Sequence, residues 1–169
     1  NNFTTDASKK NMWNWLKVTK NVTLDLNGHT MTIPGELEDS SNWAAFYITD
    51  GTLTVKDSSA EKTGAIIGAD KTDTSYDYKG GVYLFDLMNE TSGLVIESGT
   101  FYAGGTVVNV ENGTATVKGG TFSVYPDVDT HDCRYILNCL DKNYKAGTAR
   151  IIVEGGTFTG YDPRNNAAE

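Results

Sequence analysis

One sequence pattern returns along the chain and limits the folds that the chain can adopt. A short alternating strand is followed by an Asn-Gly or Asp-Gly corner and then by a second alternating strand. Three segments align around this corner, namely 24–33, 46–55 and 108–117. Asn, Asp and Gly tolerate the positive φ angles that a sharp corner requires. The pattern therefore predicts many short strands joined by tight turns.

Two further copies of the pattern have longer corners and span residues 84–96 and 136–153. Equivalent strand ends are 22 residues apart at the closest, between Leu26 and Ile48. Three short strands with three corners need about 20 residues. The spacing predicts an all-β parallel β-helix, a solenoid of about five to six coils in which each coil completes the core of its neighbours.

A second repeated word supports the same interpretation. Gly-Thr-Phe follows the second strand at residues 99–101, 120–122 and 156–158. The alternative fold is an antiparallel β-sandwich with hairpins at the Asn-Gly corners. A sandwich accounts for the short strands, but it does not account for a word that recurs after the same strand at a regular spacing.

Stacked copies of the pattern place equivalent side chains in columns. The predicted inward columns are Leu26, Ile48, Leu87, Val110 and Cys139; Leu24, Phe46, Phe85, Val108 and Leu137; and Phe101, Phe122 and Phe158. The residues predicted to face outward between them are Asp25, Tyr47, Asp86, Asn109 and Asn138. These columns predict which side chains form the core.

The same spacing suggests how the chain is organised. Residues 1–21, which include Trp13 and Trp15, are predicted to form an N-terminal cap segment, and residues 22–169 the β-helix. Insertions are predicted near residues 57–63, 69–81 and 123–134. The abrupt start and end of the sequence predict a piece of a longer protein.

Charge limits the partners of this chain. The formal net charge is −8 and the pI is near 4.7. An acidic surface repels phosphate backbones and anionic lipids, so no nucleic-acid partner is predicted. Because the sequence contains no run of eighteen apolar residues, no membrane insertion is predicted either.

The cysteines and histidines do not form a recognisable site. Cys133 and Cys139 build no zinc motif at a credible spacing with His29 and His131. Whether the two cysteines pair is left open. The column position of Cys139 predicts a small buried hydrophobe, and both histidines are predicted to be exposed.

Carboxylates are the remaining source of catalytic chemistry. Asp86 is predicted to lie beside Asn109 and Asn138 in the outward column. Amides do not transfer protons, so this column is not an acid–base pair. No catalytic residue and no cofactor are therefore predicted.

Two groups of residues remain as candidates for binding. Alternating carboxylates offer ligands to Ca²⁺, although their segment lacks the glycine and the distal glutamate of an EF-hand loop. The metal candidates are Asp127, Asp129 and Asp132. Aromatic rings in predicted loops stack on sugars or simply cover coil edges. The glycan-binding candidates are Trp43, Tyr76, Tyr78 and Tyr125.

Several of these motifs carry a family resemblance. Asp-Leu-Asn-Gly-His-Thr (25–30), Gly-Thr-Leu-Thr-Val-Lys-Asp-Ser (51–58) and Glu-Gly-Gly-Thr-Phe (154–158) resemble repeat β-helix surface proteins of gut bacteria and their phages. Residues 161–169 are similar to the end of the repeat region in such proteins. The resemblance covers residues 22–169 and implies a right-handed helix. No catalytic motif carries over from it.

The resemblance and the missing catalytic set together lead to a functional expectation. The chain is expected to be a non-enzymatic structural and adhesive module of an extracellular appendage, foremost a phage head or tail fibre. It is expected to bind host-surface or mucosal glycans and to form a homotrimer on the virion surface. The alternatives are a bacterial cell-surface adhesin and a β-helix polysaccharide lyase or glycoside hydrolase, with Asp86 and the carboxylates of 127–132 as candidate groups.

Overall fold

A computed structural model of the protein describes residues 16–33, 44–68, 83–124 and 135–164. These ranges consist mostly of strands, with one short helix. In chain order the elements are β1 (Leu16–Thr19), β2 (Val22–Asp25), β3 (Thr30–Thr32), β4 (Ala44–Lys56), β5 (Ala65–Ile67), β6 (Tyr83–Leu87), β7 (Ser92–Ile96), β8 (Thr100–Ala103), β9 (Val108–Val110), β10 (Gly113–Val117), β11 (Thr121–Val124), β12 (Leu137–Cys139), α1 (Asp141–Ala146), β13 (Ala149–Val153) and β14 (Thr157–Phe158).

The strands form two parallel sheets. The larger has nine strands, of which seven follow the path β12-β9-β6-β4-β7-β10-β13, while β1 and β2 both pair with β4. The smaller sheet has five strands in the order β14-β11-β8-β5-β3. Side chains alternate between the two faces of a strand. In β10, for example, Ala115 and Val117 are fully buried while Thr114 is exposed.

The predicted right-handed β-helix of five to six coils is wrong for this structure. The seven-strand path forms one continuous parallel sheet that is nearly closed and barrel-like, and a solenoid is not shown. The physical reason lies in β4, whose 13 residues pair with β6 before the Asp50-Gly51 corner and with β7 after it. This one strand therefore joins the partners of both segments into a single path of strands.

The predicted alignment of the first repeat is also wrong. Leu24 pairs with Val55 instead of Phe46, and Val18 occupies the place beside Ile48 that was predicted for Leu26. The Asn-Gly corner explains the error. Asn27-Gly28 and Asp50-Gly51 are similar in sequence, and Gly28 and Gly51 both have positive φ angles, 79° and 67°. The two corners nevertheless lie at different places in the fold, because Gly28 precedes β3 whereas Gly51 lies within β4.

The later strands pair as predicted. Ile48, Leu87, Val110 and Cys139 lie in register, and so do Phe46, Phe85, Val108 and Leu137. The predicted aromatic column is also present. The ring centroids of Phe101 and Phe122 are 5.2 Å apart, and those of Phe122 and Phe158 are 5.0 Å apart. Offset stacks of this kind add about 0.5–1.5 kcal/mol per pair to the burial of the rings.

Cys139 is less buried than its column position predicted. It is a free thiol and is only partly buried, whereas its neighbour Val110 is fully buried. β12 is the last strand on its side of the path, so no further strand of the described part covers this side chain. Cys133 lies outside the described residues. The division into residues 1–21 and 22–169 stays a prediction, although residues 16–19 of the first segment pair with β4.

Candidate functional site

Most of the candidate residues predicted from the sequence fall outside the part of the chain that the structure describes. These are the aromatic candidates Trp43, Tyr76, Tyr78 and Tyr125 and the calcium candidates Asp127, Asp129 and Asp132. They stay predictions. Asp86, the candidate for proton transfer, does lie in the described part. The site that can be built from the structure therefore centres on Asp86.

Three neighbouring strands bring Asp86 together with two amides. Asp86 on β6, Asn109 on β9 and Asn138 on β12 are in register. Nδ2 of Asn138 donates to Oδ1 of Asn109 at 2.7 Å, and Nδ2 of Asn109 donates to Oδ1 of Asp86 at 2.8 Å. We call these three residues the Asp86 ladder. The prediction that they lie side by side is confirmed.

The ladder is less accessible than its outward position predicted. Only 7% of Asp86 and 5% of Asn109 is exposed. On the other side of Asp86 lies Tyr47, its register partner on β4. Burial raises the pKa of Asp86 to about 6, and repulsion from Glu111 adds to it, while the hydrogen bond from Asn109 acts in the opposite direction. Burial, together with the negative charges of Asp86 and Glu111, also raises the pKa of Tyr47.

The chemistry of this arrangement is limited. Hydrolysis of a glycosidic bond uses two carboxyl groups, one as an acid and one as a base or nucleophile. The ladder supplies one carboxyl group and two amides, and its hydrogen bonds run along the ladder itself. It therefore joins three strands through their side chains, in addition to the backbone hydrogen bonds of the sheet.

Replacing Asp86 by asparagine is expected to stabilise the protein at pH 7 by roughly 2–3 kcal/mol, because it removes a buried charge while keeping an oxygen for the Asn109 amide. The folded pKa of about 6 lies above the unfolded value. Between about pH 4 and 6 the folded state holds a proton that the unfolded chain has released. The stability of the wild type therefore falls as the pH rises through this range.

Urea unfolding at pH 4, 5, 6 and 7 measures this effect. The Asp86→Asn variant is expected to lose the fall in stability between about pH 4 and 6. Asp50→Asn makes the same change of charge at an exposed corner and should keep the wild-type slope. A variant that is less stable than wild type at pH 7, or that keeps the slope, contradicts a buried Asp86 carboxylate.

A second polar cluster, around Asp57, was not predicted from the sequence. Asp57 follows β4 and is only 2% exposed. Its Oδ1 accepts the backbone N–H groups of Gly28 and Ser59 at 2.8 and 3.1 Å, and its Oδ2 accepts that of Gly64 at 2.7 Å. The backbone N–H of Asp57 donates to Oγ of Ser98 at 2.8 Å.

Asp57 thus connects the starts of three neighbouring strands, because Gly28, Gly64 and Ser98 precede β3, β5 and β8. Burial alone would raise the pKa of Asp57, but the hydrogen bonds from Gly64, Ser59 and Gly28 outweigh burial and lower the pKa to about 2. A Cβ atom on residue 64 would lie 2.6 Å from Cγ of Asp57, so only glycine fits there. No sequence motif marks this contact, since its partners are up to 41 residues away.

Asparagines at one set of corners repeat a third contact. Nδ2 of Asn89 donates to the carbonyl oxygen of Thr49 at 2.8 Å. Nδ2 of Asn112 donates to that of Met88 at 3.1 Å, and Nδ2 of Asn143 to that of Glu111 at 2.7 Å. Each amide reaches the corner of the preceding copy of the pattern. These contacts explain why asparagine recurs at the corners.

The described residues contain no group of three or more His, Cys, Asp or Glu side chains that could hold a metal ion. Their one helix, α1, has 6 residues, and no helix among them is long and apolar enough to cross a membrane. No family model, curated protein or solved structure matches this chain. Function must therefore be argued from the geometry alone.

Proposed function

We propose that this protein is a non-enzymatic structural and adhesive module of an extracellular surface appendage. The observation that supports the proposal most directly is that the polar side chains brought together by the fold hydrogen-bond to the protein itself. Asp57 binds backbone N–H groups, the Asp86 ladder is hydrogen-bonded within itself, and the corner asparagines bind carbonyl oxygens. These groups hold neighbouring strands together instead of converging on an open cleft.

The outer face of the smaller sheet supports the adhesive part of the proposal. Thr100, Thr121 and Thr157 are paired in register on neighbouring strands, and the last two are exposed. Parallel strands repeat about every 4.8 Å, so these hydroxyl and methyl groups form a regular row. Hydroxyl groups hydrogen-bond to sugars, and aromatic rings stack on them. Host-surface or mucosal glycans are therefore the proposed ligands, on a phage fibre or, alternatively, on a bacterial cell-surface adhesin.

Binding of the 169-residue chain to an array of mucosal and capsular glycans tests this proposal. The aromatic candidates predicted from the sequence provide the variants. Trp43→Ala and Tyr125→Ala are each expected to weaken glycan binding about tenfold or more, because a ring stacked on a sugar contributes binding energy that alanine cannot. Tyr144→Ala removes an exposed ring from α1 and should leave binding unchanged.

Absence of binding to any glycan, or equal losses in all three variants, contradicts the adhesive proposal.

One observation favours a polysaccharide-cleaving enzyme as a second candidate, namely the pKa of Asp86 near 6, which suits a proton donor. Incubating the chain with the same glycans and measuring released products distinguishes the enzyme from the adhesive module. Product release that disappears in Asp86→Asn supports the enzyme.

The homotrimer predicted from the sequence also stays a prediction, and the mass of the chain in solution tests it.

A further inference from the structure

Three strands each have one edge that is paired with no other strand among the described residues. β12 and β13 are the two ends of the seven-strand path, and β14 is the last strand of the smaller sheet. Each pairs with a single earlier strand of the described part. An unpaired strand edge presents backbone N–H and C=O groups that can pair with another chain.

Of the three edges, that of β13 is best suited to pairing. β13 has five residues, whereas β12 has three and β14 has two. Two of its apolar side chains are also unusually exposed. Ile152 is 38% exposed and Val153 is 37% exposed, while Val117, the register partner of Val153 on β10, is fully buried. Another strand beside β13 would cover this apolar surface.

The sequence of β13 and the residue after it is complementary to itself. Arg150, Ile152 and Glu154 share one face by alternation, and Ile151 and Val153 share the other. In an antiparallel pair of two copies centred on Ile152, Arg150 of each copy lies directly opposite Glu154 of the second copy. On the other face, Ile151 lies opposite Val153. Opposite charges and β-branched side chains placed in this way stabilise a strand pair.

We propose that this edge is an interaction surface for a second copy of the chain, formed by antiparallel pairing of the two β13 strands about a two-fold axis. The same surface on both copies makes a closed, isologous contact, which produces dimers. Two Arg150–Glu154 pairs flank a central Ile152–Ile152 contact in this arrangement. β13 itself carries neither proline nor lysine, two of the residues that commonly prevent edge pairing. The contact is independent of the proposed glycan binding.

Light scattering of the 169-residue chain over a range of concentrations tests the proposal through charge reversal. Arg150→Glu places a second carboxylate opposite that of Glu154 at both ends of the contact, and Glu154→Arg places two guanidinium groups together at the same two places. Each single variant is expected to raise the dimer dissociation constant roughly ten- to thirtyfold, since like charges directly opposite destabilise a strand pair. The double variant Arg150→Glu/Glu154→Arg restores opposite charges and is expected to dimerise within about threefold of wild type.

The double variant excludes misfolding as the cause of weaker dimerisation in the single variants, because rescue requires both reversed charges to meet across the contact. Lys20→Glu is a matched charge reversal at an exposed position between β1 and β2, away from β13, and should leave the dimer unchanged. A wild-type chain that is monomeric or trimeric at all concentrations overturns the proposal. So does a dimer that the single variants do not weaken, or one that the double variant fails to restore.

Discussion

Replacing Phe122 by alanine is expected to lower the free energy of unfolding by about 3–5 kcal/mol, among the largest effects of any single change in this chain. Phe122 is fully buried and lies in the middle of the aromatic column, between Phe101 and Phe158. Alanine would remove the transfer free energy of the ring and leave a cavity. Strands on both sides limit how far the surrounding side chains can collapse into it.

Urea denaturation followed by far-ultraviolet circular dichroism measures this loss. Phe158 provides a matched control, because it belongs to the same column but is only partly buried on the last strand of its sheet. Phe158→Ala is expected to cost about half as much as Phe122→Ala. Equal losses for the two variants, or a loss below about 1 kcal/mol for Phe122→Ala, contradict the packing described for this column.

The second large effect is expected at Asp57. Asp57→Ala leaves the backbone N–H groups of Gly28, Ser59 and Gly64 without their carboxylate acceptor. A buried, unsatisfied donor costs about 1–3 kcal/mol. The bond from Gly64 is buried and those from Gly28 and Ser59 are partly buried, so a total loss of about 3 kcal/mol is expected after partial hydration. Asp57→Asn keeps one oxygen but turns an amide NH₂ toward one of these donors, so it is expected to lose most of the same stability.

The pH dependence gives this prediction a second measurement. The folded pKa of Asp57, about 2, lies below its unfolded value. The stabilisation is therefore fully present above about pH 4 and is lost as the pH falls toward 2. Asp57→Asn should flatten this part of the stability curve.

A control for the Asp57 variants comes from Asp50, whose Oδ1 accepts one exposed N–H at a corner. Asp50→Ala is expected to cost less than about 1 kcal/mol. Comparable losses at residues 50 and 57 contradict the linking role of Asp57.

Local sequence determined the strands and most of their partners. Alternating apolar residues and Gly-rich corners mark the strands that contain Phe46, Phe85, Val108 and Leu137, and these residues pair in the predicted order. The aromatic column and the adjacency of Asp86, Asn109 and Asn138 followed from the same spacing. Such features depend on short-range alternation and on repeated words, and a single sequence displays both.

Tertiary structure alone decided how these strands join into sheets. Whether the segments before and after the Asp50-Gly51 corner join into one path depends on the strands that pair with each segment, and these come from distant parts of the sequence. The alignment of the first repeat failed for a related reason, since Asn-Gly favours a turn without specifying which turn it is. β4 therefore joins into one path strands that were expected to lie on separate faces.

The polar sites show the same division. The sequence placed Asp86 beside two amides, but only the structure shows that it is buried and that its pKa is therefore raised. Asp57 had no signal at all, because its contacts join residues that only folding brings together. Desolvation and long-range hydrogen bonds depend on what surrounds a group in space, whereas the strand pattern depends on what precedes and follows it in the chain.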